Sequence, residues 1–169
     1  FFAVADTDIK RIQEIIAWAE RLDRKICFSS RKSFMKLLPL IKKGYLSLDL
    51  KSLVSQKHVY ENGIQNVVMI ITGNLNTPLI KLQSIAKSKN PRQTLSKTDA
   101  VCILMKPIPG VETMFAATLD ELFKTECKTY YKPNLIVHDL ASSTDISFML
   151  SLLNPRYIIP LRGEYSQQV

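Results

Sequence analysis

Residues 67–78 read Val-Val-Met-Ile-Ile-Thr-Gly-Asn-Leu-Asn-Thr-Pro: an apolar run, a short polar turn and the start of a helical pattern. Continuous apolarity over the length of a strand is typical of a strand that is covered on both faces. The same order of strand, loop and helix returns at 100–124 and at 135–153, and a last strand is predicted at 157–159. This repetition predicts an α/β fold with a mainly parallel central sheet and helices on both faces.

The first quarter of the chain continues this alternation. Apolar residues at helical spacing predict a helix over 9–22, with Asp6 or Thr7 as its N-cap. Residues 26–28 are predicted to form a short strand, and Ser33 is the expected N-cap of a second helix. These elements extend the same sheet toward the start of the sequence.

Length and composition limit the class of protein. The chain has 169 residues, of which 46% are hydrophobic and 22% charged. These are ordinary values for one globular domain, and they exclude wholesale disorder. No apolar run approaches the roughly 18 to 20 residues of a membrane-spanning helix, so a membrane-embedded protein is excluded as well. Because the sequence does not begin with Met, we expect it to be part of a longer protein.

Cysteine and histidine are too few and too dispersed to indicate a metal site. Cys27, Cys102 and Cys127 are an odd number with wide spacing, which favours reduced thiols in a cytoplasmic protein over a disulfide or a metal role. His58 and His138 are far apart and belong to no metal-ligand motif. We therefore expect no cofactor in this domain.

The charge balance is basic: 23 Lys and Arg against 15 Asp and Glu give a formal net charge of +8. Basic side chains neutralise phosphates, so the excess is compatible with a nucleic-acid partner. The same charges would also serve as a solvated, solubilising surface. Composition alone leaves both interpretations open.

The loops that follow the predicted strands are the expected place of function. In parallel sheets such loops meet at one edge, where ligands bind. Here they are residues 72–77, 106–110, 138–143 and 161–165. A site on this chain should be assembled from these segments.

These loops resemble the signature segments of a known family. Residues 70–78 (Ile-Ile-Thr-Gly-Asn-Leu-Asn-Thr-Pro), 106–112 (Lys-Pro-Ile-Pro-Gly-Val-Glu) and 154–165 (Asn-Pro-Arg-Tyr-Ile-Ile-Pro-Leu-Arg-Gly-Glu-Tyr) are similar, in order and spacing, to those of the β-CASP domain of the ribonuclease J family. Residues 8–13 and 44–46 also resemble that family. The resemblance extends over essentially the whole chain.

The resemblance implies that residues 1–165 are a β-CASP domain, normally inserted into a metallo-β-lactamase domain, and that residues 166–169 begin the return to that domain. In the family the two domains form a zinc-dependent nuclease that degrades RNA from its 5′ end or cuts it internally, and the RNA passes between them. The metallo-β-lactamase half supplies the zinc-binding His-x-His-x-Asp-His motif, which this sequence lacks. Zinc is expected only in that absent half.

The sequence departs from the family at three positions that carry chemistry. The family's TGSQGEP motif has an acidic residue before its proline, whereas this chain has Thr77. The family's HVSGHAS motif has a histidine where this chain has Leu140. The family's PVHGEY motif has a histidine where this chain has Arg162, and a guanidinium group cannot ligate zinc. We expect no catalytic residue in this domain, and a degenerate copy in which the fold and the RNA path persist.

Other motif residues are the candidates for RNA contact under this resemblance. Arg162 is interpreted as a phosphate anchor, with a surface arginine near a domain boundary as the alternative. Residues 141–145 open a helix with hydroxyl and N–H groups that suit a phosphate or a 5′-terminal nucleotide, although a plain serine N-cap is the alternative. The candidates are Arg31, Thr72, Gly73, Asn74, His138, Ala141, Ser142, Ser143, Arg162 and Glu164.

The predicted function is to help form the RNA-binding groove of a cytoplasmic ribonuclease J-like protein. The expected partners are single-stranded RNA, the metallo-β-lactamase domain of the same chain and, in homo- or hetero-oligomers, a ribonuclease J homologue. An alternative is an assembly or regulatory module that serves an active homologue. A domain for a small nucleotide is disfavoured, because neither a Gly-x-Gly-x-x-Gly nor a P-loop motif occurs.

Overall fold

The computed structural model describes residues 1–87, 94–106, 110–131 and 143–159. The chain divides into two units, residues 1–136 with the sheet and residues 137–169 with the last helix. Within the described residues, no helix is long and apolar enough to cross a membrane. The helices and strands are β1 (Phe2–Ala5), α1 (Ile9–Arg21), β2 (Lys25–Phe28), α2 (Arg31–Lys42), α3 (Gln56–Glu61), β3 (Val67–Gly73), α4 (Thr77–Ala86), β4 (Ala100–Ile103), α5 (Glu112–Lys124), β5 (Lys128–Tyr131) and α6 (Ser143–Leu153).

The five strands form one sheet in which the described neighbours run parallel. The strand order is β2-β3-β1-β4-β5, so β1 lies at the centre. Phe2 of β1 is in register with Ile70 of β3 and with Cys102 of β4. The predicted α/β class with a parallel sheet is confirmed.

Helices cover both faces of the sheet. Alternate residues of a strand point to opposite sides, so each strand contributes side chains to both layers. On one face Val4 packs with residues of α1 and α2, among them Ile16. On the other face Ala3 and Ile71 pack with residues of α4 and α5, among them Leu79. Each fully buried Ile or Leu contributes roughly 1.5–3 kcal/mol of transfer free energy, so these two apolar layers hold α1, α2, α4 and α5 to the sheet.

The N-caps of α1 and α2 differ from those predicted. Asp8, rather than Asp6 or Thr7, caps α1, because its side chain accepts a hydrogen bond from the backbone N–H three residues later at 3.0 Å. Ser30 caps α2: its extended backbone directs its Oγ to the backbone N–H of Ser33 at 3.0 Å. Asp6 and Ser33 are therefore available for contacts between elements.

Several other elements differ from the sequence prediction. The patterns missed β1, α3 and β5: β1 is a four-residue strand at the start of the sequence, and β5 reads Lys-Thr-Tyr-Tyr rather than a continuous apolar run. The predicted strand at 157–159 is wrong, because these exposed residues pair with no strand in the described part of the chain. The predicted strand at 135–137 lies outside the described residues, and α6 confirms the predicted helix over 143–153.

Candidate functional site

The strand order creates a topological switch point at the carboxyl ends of β1 and β3. These strands are adjacent, with Ala5 in register with Gly73. The helix after β1 packs on one face of the sheet and the helix after β3 on the other, so the two connecting loops diverge. Open α/β sheets bind ligands at such a divergence. We call the surface around it, residues 6–11, 29–33 and 72–77, the strand-end face.

Hydrogen bonds tie the segments of the strand-end face together. The backbone N–H of Asp6 donates to the Gly73 carbonyl at 3.0 Å, and its carboxylate accepts a hydrogen bond from Lys36 Nζ at 2.8 Å. Ser33 Oγ donates to the Thr72 carbonyl at 2.8 Å. These contacts join the ends of β1 and β3 to the first turns of α2, so the three segments are held in fixed relative positions.

The loop after β3 is compact and holds no carboxylate. A Cβ at Gly73 would lie 2.9 Å from the Cβ of Thr77, so this close approach requires glycine. Thr77 Oγ1 donates to Asn74 Oδ1 at 3.2 Å, and the backbone N–H of Thr77 donates to the Asn74 carbonyl at 3.0 Å. Thr77 closes the turn into α4, and its hydroxyl cannot take the acid–base role of a carboxylate.

Several buried polar atoms of this face have no hydrogen-bond partner among the described residues. The hydroxyl oxygens of Ser29 and Thr72 are two of them, although these residues are only 2% and 1% exposed. The side-chain oxygen of Asn76, where α4 begins without a side-chain cap, is the third. A buried polar group without a partner costs about 1–3 kcal/mol, so such groups are rare in folded proteins. All three atoms belong to residues 29–33 and 72–77 of the strand-end face.

The helices that begin at the strand-end face have no acidic residue in their first turns. This holds for α1, α2 and α4. The first turn of α1 carries Lys10 and Arg11, and α2 begins with the exposed pair Arg31 and Lys32. A helix N-terminus carries partial positive charge, so each added cation there is unfavourable by roughly 0.3–1 kcal/mol. Asp8 offsets part of this charge as the cap of α1, and Glu14 pairs with Arg11 at 3.1 Å. The exposed Lys10, Arg31 and Lys32 carry positive charge that makes the face attractive to anions.

Lys81 is a residue of the site that the sequence analysis did not single out. Its ammonium group donates a hydrogen bond to the Ser29 carbonyl, so the side chain reaches from α4 to the end of β2. Burial lowers the pKa of Lys81, and none of the ion pairs of the described residues includes it. Burial also raises the pKa of the neighbouring Cys27 thiol to about 11. The available sequence signal was spacing, because Lys81 follows Thr77 by four residues on one helix face.

Comparison with known proteins identifies the family of the chain. Residues 1–122 match the family model described as the ribonuclease J β-CASP domain. The chain belongs to the ribonuclease J β-CASP family. Ribonuclease J2 of Bacillus subtilis is 30% identical over 168 residues, covering 98% of this chain and 30% of the relative. Ribonuclease J of Mycoplasma pneumoniae is 28% identical (94% and 28% covered), and that of Thermus thermophilus is 26% identical (100% and 30% covered). This β-CASP chain therefore spans under a third of the length of these relatives.

The β-CASP structure brings one group of predicted site residues together. Arg31, Thr72, Gly73 and Asn74 all lie on the strand-end face, and Thr77 lies beside them at the start of α4. Thr72 is buried, whereas Arg31 and Asn74 are exposed. Arg31 follows β2 and the other four residues follow or end β3, and these two strands are paired.

The other predicted site residues of the β-CASP domain belong to the second unit or lie outside the described residues. Ser143 is the first residue of α6, in the second unit, and its capping or phosphate role stays a prediction. Among the described residues, no group of three His, Cys, Asp or Glu side chains is positioned to hold a metal ion. The remaining positions lie outside the described residues: His138, Leu140, Ala141, Ser142, Arg162 and Glu164.

Proposed function

We propose that this chain forms one wall of the RNA-binding groove of a cytoplasmic ribonuclease J-like protein, with the strand-end face contacting the backbone of single-stranded RNA. The observation that carries the proposal is that α1, α2 and α4 begin at one face without an acidic first turn, with Arg31 and Lys32 exposed there. Phosphate oxygens are the ligands that helix N-termini and basic side chains favour. The net charge of +8 adds a long-range attraction for the same ligand.

We expect this contact to be independent of base sequence. Residues 6–11, 29–33 and 72–77 include no aromatic side chain, so the face offers no ring on which a base could stack. Its two carboxylates, of Asp6 and Asp8, are engaged by Lys36 and by the first turn of α1. Its other polar groups are basic side chains, hydroxyls and amides, which suit phosphate and sugar oxygens. Contacts of this type position an RNA strand without reading its sequence.

The proposal assigns no catalytic group to this domain. Metal-assisted cleavage of a phosphodiester needs ligands that hold the metal and activate a water. The described residues offer no such ligand group, and the loop after β3 carries Thr77 in place of a carboxylate. We assign zinc and the cleavage step to the metallo-β-lactamase domain of the parent protein. The chain by itself should bind RNA and leave it intact.

The proposal is tested by fluorescence anisotropy with a labelled single-stranded RNA across a salt series. We expect Arg31→Ala/Lys32→Ala to weaken binding several-fold and to reduce the slope of log affinity against log salt by about 1.4, since each lost phosphate contact changes it by about 0.7. The matched control is Lys42→Ala/Lys43→Ala, which removes the same charge from the other end of α2, roughly 18 Å away.

Equal weakening by both double variants would refute a localised face, because it would show that only net charge matters. If the wild-type chain does not bind RNA even at low salt, the RNA proposal fails. The assembly or regulatory role beside a ribonuclease J homologue would then be favoured, and co-purification with that homologue would test it.

A further inference from the structure

We infer that Lys81, Ser29 and the first turn of α4 form a subsite for one phosphate group at the carboxyl ends of β2 and β3. The inference deepens the proposed function, since a backbone phosphate of RNA and a free phosphate share this chemistry. The subsite is carried by two independent observations: a half-buried ammonium group without a carboxylate partner, and a fully buried hydroxyl without a hydrogen bond.

The first observation concerns the position of the Lys81 ammonium group. The group hydrogen-bonds to the Ser29 carbonyl, which occupies one of its three N–H donors. Side chains on a helix lean toward its N-terminus, so Lys81 extends toward Thr77, the exposed residue one turn earlier. Thr77 in turn packs against Gly73 at the end of β3. The ammonium group therefore lies at the end of β2, on the side of α4 that leads to Thr77, with donors left for an oxyanion.

The second observation concerns the side chain of Ser29. Cys27 packs on the face of the sheet that α4 covers, and alternation along β2 places Ser29 on the same side. The backbone N–H of Ser29 donates to the Ile70 carbonyl at 2.8 Å, which fixes the residue next to β3. Its hydroxyl has no partner in the described part of the chain, and it can donate to an oxyanion.

Electrostatics make a phosphate a better occupant than water. Burial lowers the pKa of Lys81 because an isolated ammonium group is poorly solvated there. A phosphate bound there would stabilise the charged form of Lys81. It would also interact favourably with the partial positive charge at the N-terminus of α4. Asn76, the N-cap residue of that helix, makes no side-chain capping hydrogen bond and adds a third polar side chain at the same end.

The experiment is a titration of the ¹⁵N-labelled chain with inorganic phosphate, at an ionic strength held constant with sodium chloride. We expect the amide signals of residues 29–31, 73–77, 79 and 80 to shift together along one saturable curve. In Lys81→Met the affinity for phosphate should fall about ten- to a hundredfold, because one hydrogen bond from a charged donor is lost. Lys87→Met, at the other end of the same helix, should bind as the wild type does.

Ser29→Ala provides a variant that separates binding from folding. Removing a buried hydroxyl without a partner should leave the protein as stable as the wild type or more stable, and should still weaken phosphate binding. Shifts spread over the whole surface, or equal affinity in wild type, Lys81→Met and Ser29→Ala, would overturn the subsite.

An RNA titration distinguishes the failure of the subsite from the failure of the proposed function. If RNA binds and depends on Arg31 but not on Lys81, and phosphate shifts none of the signals named above, only the subsite is refuted. If phosphate binds at Lys81 and RNA does not bind the chain, the subsite stands and the RNA proposal is refuted. Loss of both RNA and phosphate binding in Lys81→Met supports both.

Discussion

Gly73→Ala should destabilise the protein through one contact with Thr77. The new Cβ would lie 2.9 Å from Cβ and 3.0 Å from Cγ2 of Thr77, which is closer than carbon atoms pack, so the first turn of α4 must move outward. Overpacking of this kind lowers the free energy of unfolding by about 1–3 kcal/mol. Replacing glycine also restricts the unfolded chain, which raises the free energy of unfolding by about 0.4–1 kcal/mol. The midpoints of these ranges give an expected fall of about 1.3 kcal/mol in the free energy of unfolding, measured by urea unfolding with circular dichroism.

A double-mutant cycle isolates that contact. Thr77→Gly removes both of the atoms that the new methyl group would meet. In the Thr77→Gly background Gly73→Ala should leave the free energy of unfolding unchanged or raise it by up to about 1 kcal/mol, because only the effect on the unfolded chain remains. The reasoning is refuted if Gly73→Ala costs nothing in the wild-type background, or costs the same in both backgrounds.

Three further predictions concern charges around the same loops. Thr77→Glu should raise the free energy of unfolding in urea by about 0.5–1 kcal/mol, because it adds an acidic residue to the first turn of α4, which has none, four residues before Lys81. A loss of stability would contradict this prediction. Wild-type stability should fall between pH 9 and 11, because folding raises the pKa of Cys27 from 9.0 to about 11 and the unfolded chain therefore loses this proton at lower pH. The Cys27→Ala variant should show a smaller fall in stability over this range, and an equal fall would count against the buried thiol as the cause. Lys36→Met should cost up to about 1 kcal/mol by breaking the ion pair with Asp6, and a larger loss in low salt than in high salt would identify the ion pair as the cause.

The fold was predictable where a strand is buried on both faces. Five consecutive apolar residues and a following turn identified β3, and the helices α4, α5 and α6 followed from the repeated order of strand, loop and helix. β1 was not predictable in this way, although it lies at the centre of the sheet, because its four residues carry no flanking pattern. β5 owes its place to pairing with β4 rather than to its own composition, since Lys-Thr-Tyr-Tyr alone does not specify a partner.

The sequence indicated where the strand-end loops lie, and it did not indicate the side-chain contacts made there. The end of β3 indicated residues 72–77 as the functional edge, because the carboxyl ends of parallel strands meet there. The caps were wrong by a few residues, since several polar residues near Asp8 and Ser30 compete for the same backbone N–H groups. Lys81 was missed for a different reason: its importance arises from reaching the Ser29 carbonyl, which is distant in sequence.

The most direct test of the central claim is photo-crosslinking of the chain to a 4-thiouridine-substituted single-stranded RNA, with the attachment sites mapped by mass spectrometry. We predict crosslinks in peptides that contain residues 6–11, 29–33 and 72–81, and their loss in the presence of excess unlabelled RNA. Crosslinks that fall mainly at the opposite end of the sheet, around Trp18 and Arg24 before β2, would contradict the assignment of the strand-end face.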